Sequence, residues 1–377
     1  MRIAFLGDLC VQEQPPALSS DFLTMLDEHD IRCVNLEGPI GMTSDPITKA
    51  GPHINSDDSV IDLIRAMKIN QLCLSNNHFL DYGLDHALST LSTLKVSAFG
   101  LNVANQFNST TTVIDEFGQT ISLIGVSESF DVTKFHSPTN GTSAVISIFD
   151  SSFDELLKLE INQKTFVVVV FHGGLEGTKI PLPEWRQVFR DLISKGVCAV
   201  IAHHPHVVQP RESFEGGSIY YSLGNLCMAP NRQAKLESSI GLCVSMQTFE
   251  HGQVNFTESI IQYDPIGNQV NLLDKSLDEV APPINEDNYL ELVERLCVER
   301  YKSDFGPFFE DIFNTVGHTP SWRKVFSLLK QPLLHKYVRG HPEILRSRQV
   351  ALEHLFRVES NRWTILRALS SNSDLLN

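Results

Sequence analysis

Three histidines stand within four positions in the segment AHHPHVVQP, residues 202–210. The segment follows the apolar run GVCAVI, so it lies where a predicted strand ends. His204 and His206 are two positions apart and point the same way if the chain there is extended. Imidazole is both a common metal ligand and a general acid or base. The spacing therefore indicates a metal-binding or catalytic site.

Polar residues of the same chemical types follow other apolar runs. They are Asp8, Glu37, Asn76, Asn77, His78 and His172. Taken singly, each has a structural alternative: a turn, a helix cap or a satisfied core histidine. In an open α/β sheet, ligands bind beyond the carboxyl ends of the parallel strands. We therefore expect these segments to converge on one point.

Carboxylate, amide and imidazole groups form a mixed oxygen and nitrogen set without the thiolate cluster of a structural zinc site. Such a set suits divalent Mn, Zn or Fe, and a carboxylate can bridge two cations. We expect one or two metal ions here.

The elements that must position these residues follow an alternating α/β pattern. Predicted strands lie at 2–7, 32–37, 71–75, 121–126, 166–171, 197–202 and 218–223, and predicted helices at 21–29, 59–68, 83–94 and 183–196. Residues 241–263 predict an antiparallel hairpin at a sheet edge. A proline-rich acidic connector, 277–288, then leads to helix-like segments. We predict an α/β domain over residues 1–275 and a helical C-terminal extension over 276–377.

The charge is unevenly distributed. The 377 residues carry a net charge of −15, and residues 321–377 hold 10 Lys/Arg against 4 Asp/Glu, so residues 1–320 carry −21. An acidic body repels phosphate backbones, which argues against a nucleic-acid partner. The basic C-terminal helices could contact an anionic partner or surface, or simply present a solvated face.

The seven cysteines form no CxxC pair, which favours buried free thiols over a disulfide framework. No apolar stretch reaches the roughly 18–20 residues of a transmembrane helix, and the start lacks a full signal peptide. These features predict a cytoplasmic protein.

The motifs GD (7–8), NLEGP (35–39), SNNHFLDYG (75–83), FHGGLE (171–176), HHPHVVQP (203–210) and YSLGN (221–225) occur in an order that closely resembles the CapA family. These are poly-γ-glutamate capsule biosynthesis proteins, related to calcineurin-like metallophosphoesterases. The resemblance covers residues 1–230. It implies a four-layer α/β/β/α sandwich of the metallophosphoesterase type.

The resemblance also implies roles for individual residues. Asp8, Glu37, Asn77, His172, His204 and His206 are the implied metal ligands, with Glu37 in the bridging position. His78 is the implied general acid, and Asp81 is suited to orient it. Glu176, His203 and Asn225 are expected at the rim of the site.

The chain departs from the phosphoesterase pattern at two positions. Cys10 stands where those enzymes have the histidine of Asp-x-His, and Glu37 is one methylene longer than the usual aspartate. These departures leave one of the two metal positions short of ligands.

Two functions remain open at this point. The first is a CapA-like metal-dependent hydrolase of a phosphoester or related bond, acting on a small molecule or polymer in capsule, poly-γ-glutamate or polysaccharide biosynthesis. The second is a non-catalytic metal-binding or scaffold subunit of a polymer-synthesis machinery, which the replacement at position 10 favours. A nuclease is disfavoured by the acidic charge.

Overall fold

The computed structural model describes residues 1–43, 45–102, 109–130, 143–229, 239–307, 309, 354–355 and 357–371. The strands are β1 (Arg2–Val11), β2 (Ala17–Leu18), β3 (Ile31–Leu36), β4 (Gln71–Cys73), β5 (Ser97–Phe99), β6 (Thr110–Ile114), β7 (Thr120–Ser127), β8 (Phe166–His172), β9 (Ala199–His203), β10 (Arg211–Phe214), β11 (Gly217–Tyr220), β12 (Asn225–Ala229), β13 (Ile240–Phe249), β14 (Gln253–Asp264) and β15 (Gln269–Leu273). The helices are α1 (Ser20–Asp27), α2 (Ser59–Ala66), α3 (Leu84–Leu94), α4 (Ser151–Gln163), α5 (Pro183–Ser194), α6 (Leu277–Val280), α7 (Tyr289–Arg300) and α8 (Glu359–Ser371).

The described strands form two sheets. In the first, the order is β2-β15-β14-β13-β1-β3-β4-β5, with β12 also paired to β1. In the second, the order is β10-β11-β9-β8-β7-β6. Strands β1, β3, β4 and β5 run parallel to one another, as do β7, β8, β9 and β11. The predicted hairpin exists as β13 and β14, but its placement at a sheet edge is wrong because β14 pairs with β15 and β15 with β2.

Three apolar clusters separate four layers. One lies between the sheets and holds residues such as Phe5 and Val168. A second packs α1, α2 and α3 against the outer face of the first sheet, for example through Phe22 and Ile64. The third packs α4, α5, α7 and α8 against the outer face of the second sheet. The predicted α/β/β/α sandwich is confirmed.

Amphipathic spacing explains why the C-terminal helices belong to the third cluster. Val293 and Cys297 on α7, and Ile365 and Leu369 on α8, lie four positions apart, so each pair presents one apolar face. The division of the chain at residue 275 stays a prediction, as does the role of the basic helices, since most of residues 321–377 lie outside the described part of the chain.

The seven cysteines are free, as predicted, and six of them are buried. Within the described residues, no helix has the length and apolar character needed to cross a membrane.

Candidate metal centre

The candidate site lies where parallel strands of both sheets end. The first sheet supplies oxygen donors: Asp8 near the end of β1, Glu37 after β3 and Asn77 after β4. The second sheet supplies nitrogen donors: His172 ends β8, and His204 and His206 follow β9. Each donor type therefore comes from its own sheet, and the two sets face each other across the end of the inter-sheet core.

Among the described residues, two overlapping groups of side chains could each hold a cation. Asp8, Glu37 and His172 form one, and Glu37, His204 and His206 form the other; within each group the ligand atoms lie within 4.8 Å of one another. Glu37 belongs to both groups, as a bridging carboxylate would.

Glu37 is the residue that most requires a ligand. Its side chain is 0% exposed, and among the described residues neither carboxylate oxygen has a hydrogen-bond partner. The nearest imidazole nitrogens are His206 Nε2 at 3.6 Å, and His172 Nε2 and His78 Nε2 at 3.9 Å each. A buried carboxylate left in this way costs free energy unless a cation or donor satisfies it. The donor set and this unsatisfied carboxylate fit a metal ion.

Asp8 is held firmly by its neighbours. Asn35 Nδ2 donates to Asp8 Oδ1 at 2.8 Å, and the backbone N–H of His204 donates to Oδ2 at 3.3 Å. His203 Nδ1 lies 3.1 Å from Oδ1, and His206 Nδ1 lies 3.4 Å from Oδ2. His203, expected at the rim, is thus buried behind Asp8.

The triple-histidine segment does not have the extended backbone assumed from its spacing. His204 has φ +96° and His206 has φ +57°, both in the left-handed region. Non-glycine residues held there cost roughly 1–3 kcal/mol each and concentrate at functional sites. The strained turn brings the His204 and His206 ring centroids to 5.9 Å. The two rings are therefore brought together by a left-handed turn and not by the extended chain that the spacing predicted.

Amide groups link the two sheets at the site. Asn77 Oδ1 lies 2.8 Å from His172 Nε2, and His204 Nδ1 lies 3.2 Å from the same nitrogen. Asn225 Oδ1 lies 2.9 Å from His206 Nδ1, and Asn225 is buried although it was expected at the rim. Glu176 does lie at the rim, with a 58% exposed side chain and its Oε1 3.7 Å from His204 Nε2.

His78 stands beside the ligands with its two ring nitrogens in different surroundings. Nδ1 lies 2.8 Å from Asp81 Oδ2 and 3.0 Å from Lys49 Nζ, while Nε2 faces Glu37. Lys49 also forms a buried ion pair with Asp81. Asp81 and Lys49 therefore fix the orientation of the ring.

The charges of the site reflect burial and crowding. Burial raises the pKa of Glu37 well above its ordinary value. Burial, with the neighbouring imidazoles, holds the pKa of His172 well below its ordinary value and lowers that of His204 to about 4, which keeps both rings neutral and able to bind metal. Burial opposes ionisation of Asp8 too, but hydrogen bonds from His203 and His206 outweigh it and hold its pKa well below the usual range.

Cys10 does not join the candidate ligands. Its thiol is buried and donates to the backbone carbonyl of Asn55 at 3.4 Å, and burial raises its pKa to about 12. Position 10 thus carries a protonated thiol rather than an imidazole.

Two contributors were missed from the sequence. Asn35 was passed over because it lies inside a strand, and Lys49 because it lies in a loop without periodicity. Asn35 also accepts from Asn76 Nδ2 at 3.1 Å, so a chain of amides runs from Asp8 to the end of β4. The only available signal was the position of Asn35 two residues before Glu37.

The family model described as "Bacterial capsule synthesis protein PGA_cap" matches residues 3–229, which carry every candidate ligand. The chain belongs to this family. Among curated relatives of this capsule-synthesis family member, the PGA biosynthesis protein CapA of Bacillus subtilis (strain 168) is 27% identical over 179 residues, which are 46% of each chain. The capsule biosynthesis protein CapA of Bacillus anthracis is 23% identical over 179 residues, 46% of this chain and 43% of that one. The match thus spans less than half the length of either relative.

Solved structures similar to this family member include a hypothetical protein from Thermus thermophilus, with a TM-score of 0.45 and 14% identity over 70% of this chain and 99% of that one. The calcineurin-like phosphoesterase YfkN from Bacillus subtilis gives a TM-score of 0.42 and 14% identity over 74% of this chain and 95% of that one.

Proposed function

We propose that this capsule-synthesis family member is a metal-dependent hydrolase of a phosphoester or related bond. The observation that carries the proposal is Glu37: a fully buried carboxylate that has no hydrogen-bond partner in the described part of the chain and is shared by two groups of candidate ligands. The relatives' names support a place in poly-γ-glutamate or capsule biosynthesis, with a small molecule or polymer as substrate. The cytoplasmic location inferred from the sequence is part of this proposal.

The residues proposed to hold divalent Mn, Zn or Fe are Asp8, Glu37, Asn77, His172, His204 and His206. A cation bound there supplies a more acidic water and polarises the bond to be cleaved. Asn35 orients Asp8 through its hydrogen bond, and His203 and His206 keep Asp8 ionised, which preserves its ability to bind a cation.

His78 is proposed as the proton donor. Its Nε2 faces the ligand cluster, and Lys49 and Asp81 occupy its Nδ1, so the ring can present only Nε2 to a substrate. From there it would pass a proton to the leaving oxygen of the cleaved bond. Asp81 and Lys49 act as positioning residues, because they contact the ring at Nδ1, the nitrogen opposite the one that faces the ligand cluster.

The test compares metal content with turnover. Protein purified without chelator is analysed for metals and assayed with 4-nitrophenyl phosphate and added Mn²⁺. We expect His204→Ala to lose bound metal, and His78→Ala to keep the metal but lose roughly 10²–10⁴-fold in kcat. His251→Ala, which removes an exposed imidazole from the β13–β14 turn, is the matched control and should retain both properties.

A second function, a non-catalytic metal-binding scaffold, is favoured by the buried thiol at position 10. Metal that depends on His204, with equal background rates in the wild type and His78→Ala, would identify the scaffold. A protein that binds no metal would overturn both readings.

A further inference from the structure

A cavity of about 350 Å³ lies beside the candidate metal centre. One side is formed by residues of the site, among them Asn77, His78 and His204. The opposite wall comes from the C-terminal helical segment, through Arg300, Phe305, His354, Leu355, Val358 and Asn361. These six lie beyond residue 229, where the family match ends. The C-terminal segment therefore forms one wall of a cavity that opens onto the ligands.

The wall is anchored to the α/β body by buried polar contacts at the start of α8. Ser360 donates its hydroxyl to Glu128 Oε2 at 2.9 Å and its backbone N–H to Glu128 Oε1. Trp185 Nε1 donates to Ser360 Oγ at 2.8 Å. Further along α8, Arg367 pairs with Glu184 at 2.8 Å. The buried contacts of Ser360 and the partly exposed pair of Arg367 join the wall to the α/β body.

Glu128 also connects this anchor to the metal ligands. Its Oε2 accepts the backbone N–H of Gly174 at 2.9 Å, two residues after His172. Its own backbone N–H donates to the carbonyl of His172 at 2.9 Å. The same side chain therefore sets the position of both the cavity wall and the loop that follows β8.

Arg300 is the cation of this wall, and its donors are not all used. It ends α7, directly before the π-helical turn Tyr301–Phe305, a type of distortion often found at functional sites. Its Nη1 lies 3.1 Å from Asp304 Oδ2, whereas its Nε is buried and has no hydrogen-bond partner among the described residues. The unpaired Nε is itself enclosed by the protein, but the Arg300 side chain as a whole is 33% exposed and lines the cavity, so a ligand oxygen can contact its guanidinium there.

The charges around the cavity favour an anionic ligand. Of the described lining residues, Lys49 and Arg300 are cations and Glu176 is the acid. Lys49 is paired with Asp81, and Glu176 contacts His204. The guanidinium of Arg300 can bind carboxylate or phosphate oxygens in a fork that an ammonium does not provide.

We propose that Arg300 is a specificity-determining residue that binds an anionic group of the substrate remote from the bond to be cleaved. The group is a carboxylate or a phosphate, held between the C-terminal wall and the metal centre. This inference rests on the proposed function for the bond that is cleaved. Binding of the remote anion by Arg300 can be tested separately from hydrolysis.

The test uses Arg300→Gln in the full, metal-loaded protein, with Arg295→Gln as the matched control, since Arg295 is exposed on the same helix. Phenyl phosphate, 4-carboxyphenyl phosphate and 1,4-phenylene bisphosphate differ in the remote group. We expect Arg300→Gln to lower kcat/KM at least tenfold for 4-carboxyphenyl phosphate, for 1,4-phenylene bisphosphate or for both. For phenyl phosphate, which has no remote anion, kcat/KM should fall less than twofold. The carboxylate and phosphate arms show which anion is preferred.

A binding measurement separates this inference from the hydrolase proposal. Calorimetric titration with glutarate and with γ-glutamylglutamate measures binding without turnover. We expect Arg300→Gln to raise the Kd of at least one of these two ligands about tenfold while the metal content stays unchanged. Arg300→Lys keeps the positive charge but lacks the forked guanidinium, so its affinity should lie between those of the wild type and Arg300→Gln. If no substrate is hydrolysed but this binding difference is found, the hydrolase proposal fails and the anion site stands. Equal behaviour of Arg300→Gln and wild type in both assays overturns the inference.

Discussion

Glu37→Gln should change the stability of the protein in opposite directions without and with metal. The substitution keeps the shape of the side chain and removes its charge. Glu37 is 0% exposed, neither of its oxygens has a hydrogen-bond partner within the residues that the structure describes, and burial raises its pKa well above 4.5. A raised pKa in the folded state means that the ionised form opposes folding at neutral pH. Without metal, the variant should therefore be more stable than the wild type by about 1–3 kcal/mol.

Added metal should reverse this order. At a Mn²⁺ concentration one hundred times its Kd, the wild type gains about 2.7 kcal/mol of stability by mass action. If loss of the shared carboxylate weakens binding about a hundredfold, the variant gains only about 0.4 kcal/mol at the same concentration. The two proteins should thus exchange their stability order between chelator and Mn²⁺.

Urea unfolding followed by circular dichroism, in EDTA and in Mn²⁺, measures both effects. Asp115→Asn is the matched control, because Asp115 is a buried carboxylate that accepts hydrogen bonds from Phe117, Gln119 and Thr248. It should lose stability equally in both conditions. If Glu37→Gln behaves like this control, and its Mn²⁺-dependent gain matches that of the wild type, then Glu37 is not a ligand.

Two further predictions concern the frame of the site. Burial and the charge of Glu359 raise the pKa of Glu128 from 4.5 to about 8, so the folded protein keeps a proton that the unfolded chain loses between these values. Between pH 4.5 and 8, Glu128 therefore makes the free energy of unfolding fall by at most about 1.4 kcal/mol per pH unit. Above pH 8 its contribution to the slope disappears. Across that pH range, the urea midpoint should fall less steeply for Glu128→Gln than for the wild type. Equal pH dependence of the two midpoints would contradict the raised pKa of Glu128. Gly7→Ala places a Cβ 2.3 Å from the carbonyl oxygen of Gly224 and should lower both the unfolding free energy and the metal content. In Gly51→Ala the Cβ meets no atom within 4 Å, so this control should lose unfolding free energy only through the φ of +81° at that position and should keep its metal content.

The strands that carry the candidate ligands could be predicted because apolar runs and the polar residues after them are local features, although β1 continues past its predicted end at residue 7 to Val11 and so includes Asp8. Asp8, Glu37 and His172 each follow such a run, and β1, β3 and β8 were all anticipated. Parallel strands then bring these residues to one edge without any knowledge of the pairing. The order of the motifs added the expectation of four layers.

Contacts between distant parts of the chain could not be predicted. Arg300 reaches the cavity only because α7 packs on the second sheet, and nothing near it in sequence indicates that contact. Lys49 lies in a loop 32 residues before its partner Asp81. The left-handed backbone at His204 depends on the tertiary frame, since spacing alone suggested an extended chain.

The separation of donor types between the sheets ties ion affinity to the interior of the protein. A cation held by the oxygens of one sheet and the nitrogens of the other would cross-link both sheets at their ends. By thermodynamic reciprocity, whatever the ion contributes to holding the sheets together, their packing contributes equally to retaining the ion. Substitutions in the apolar layer between the sheets can therefore change how tightly the ion binds, although they touch none of its ligands.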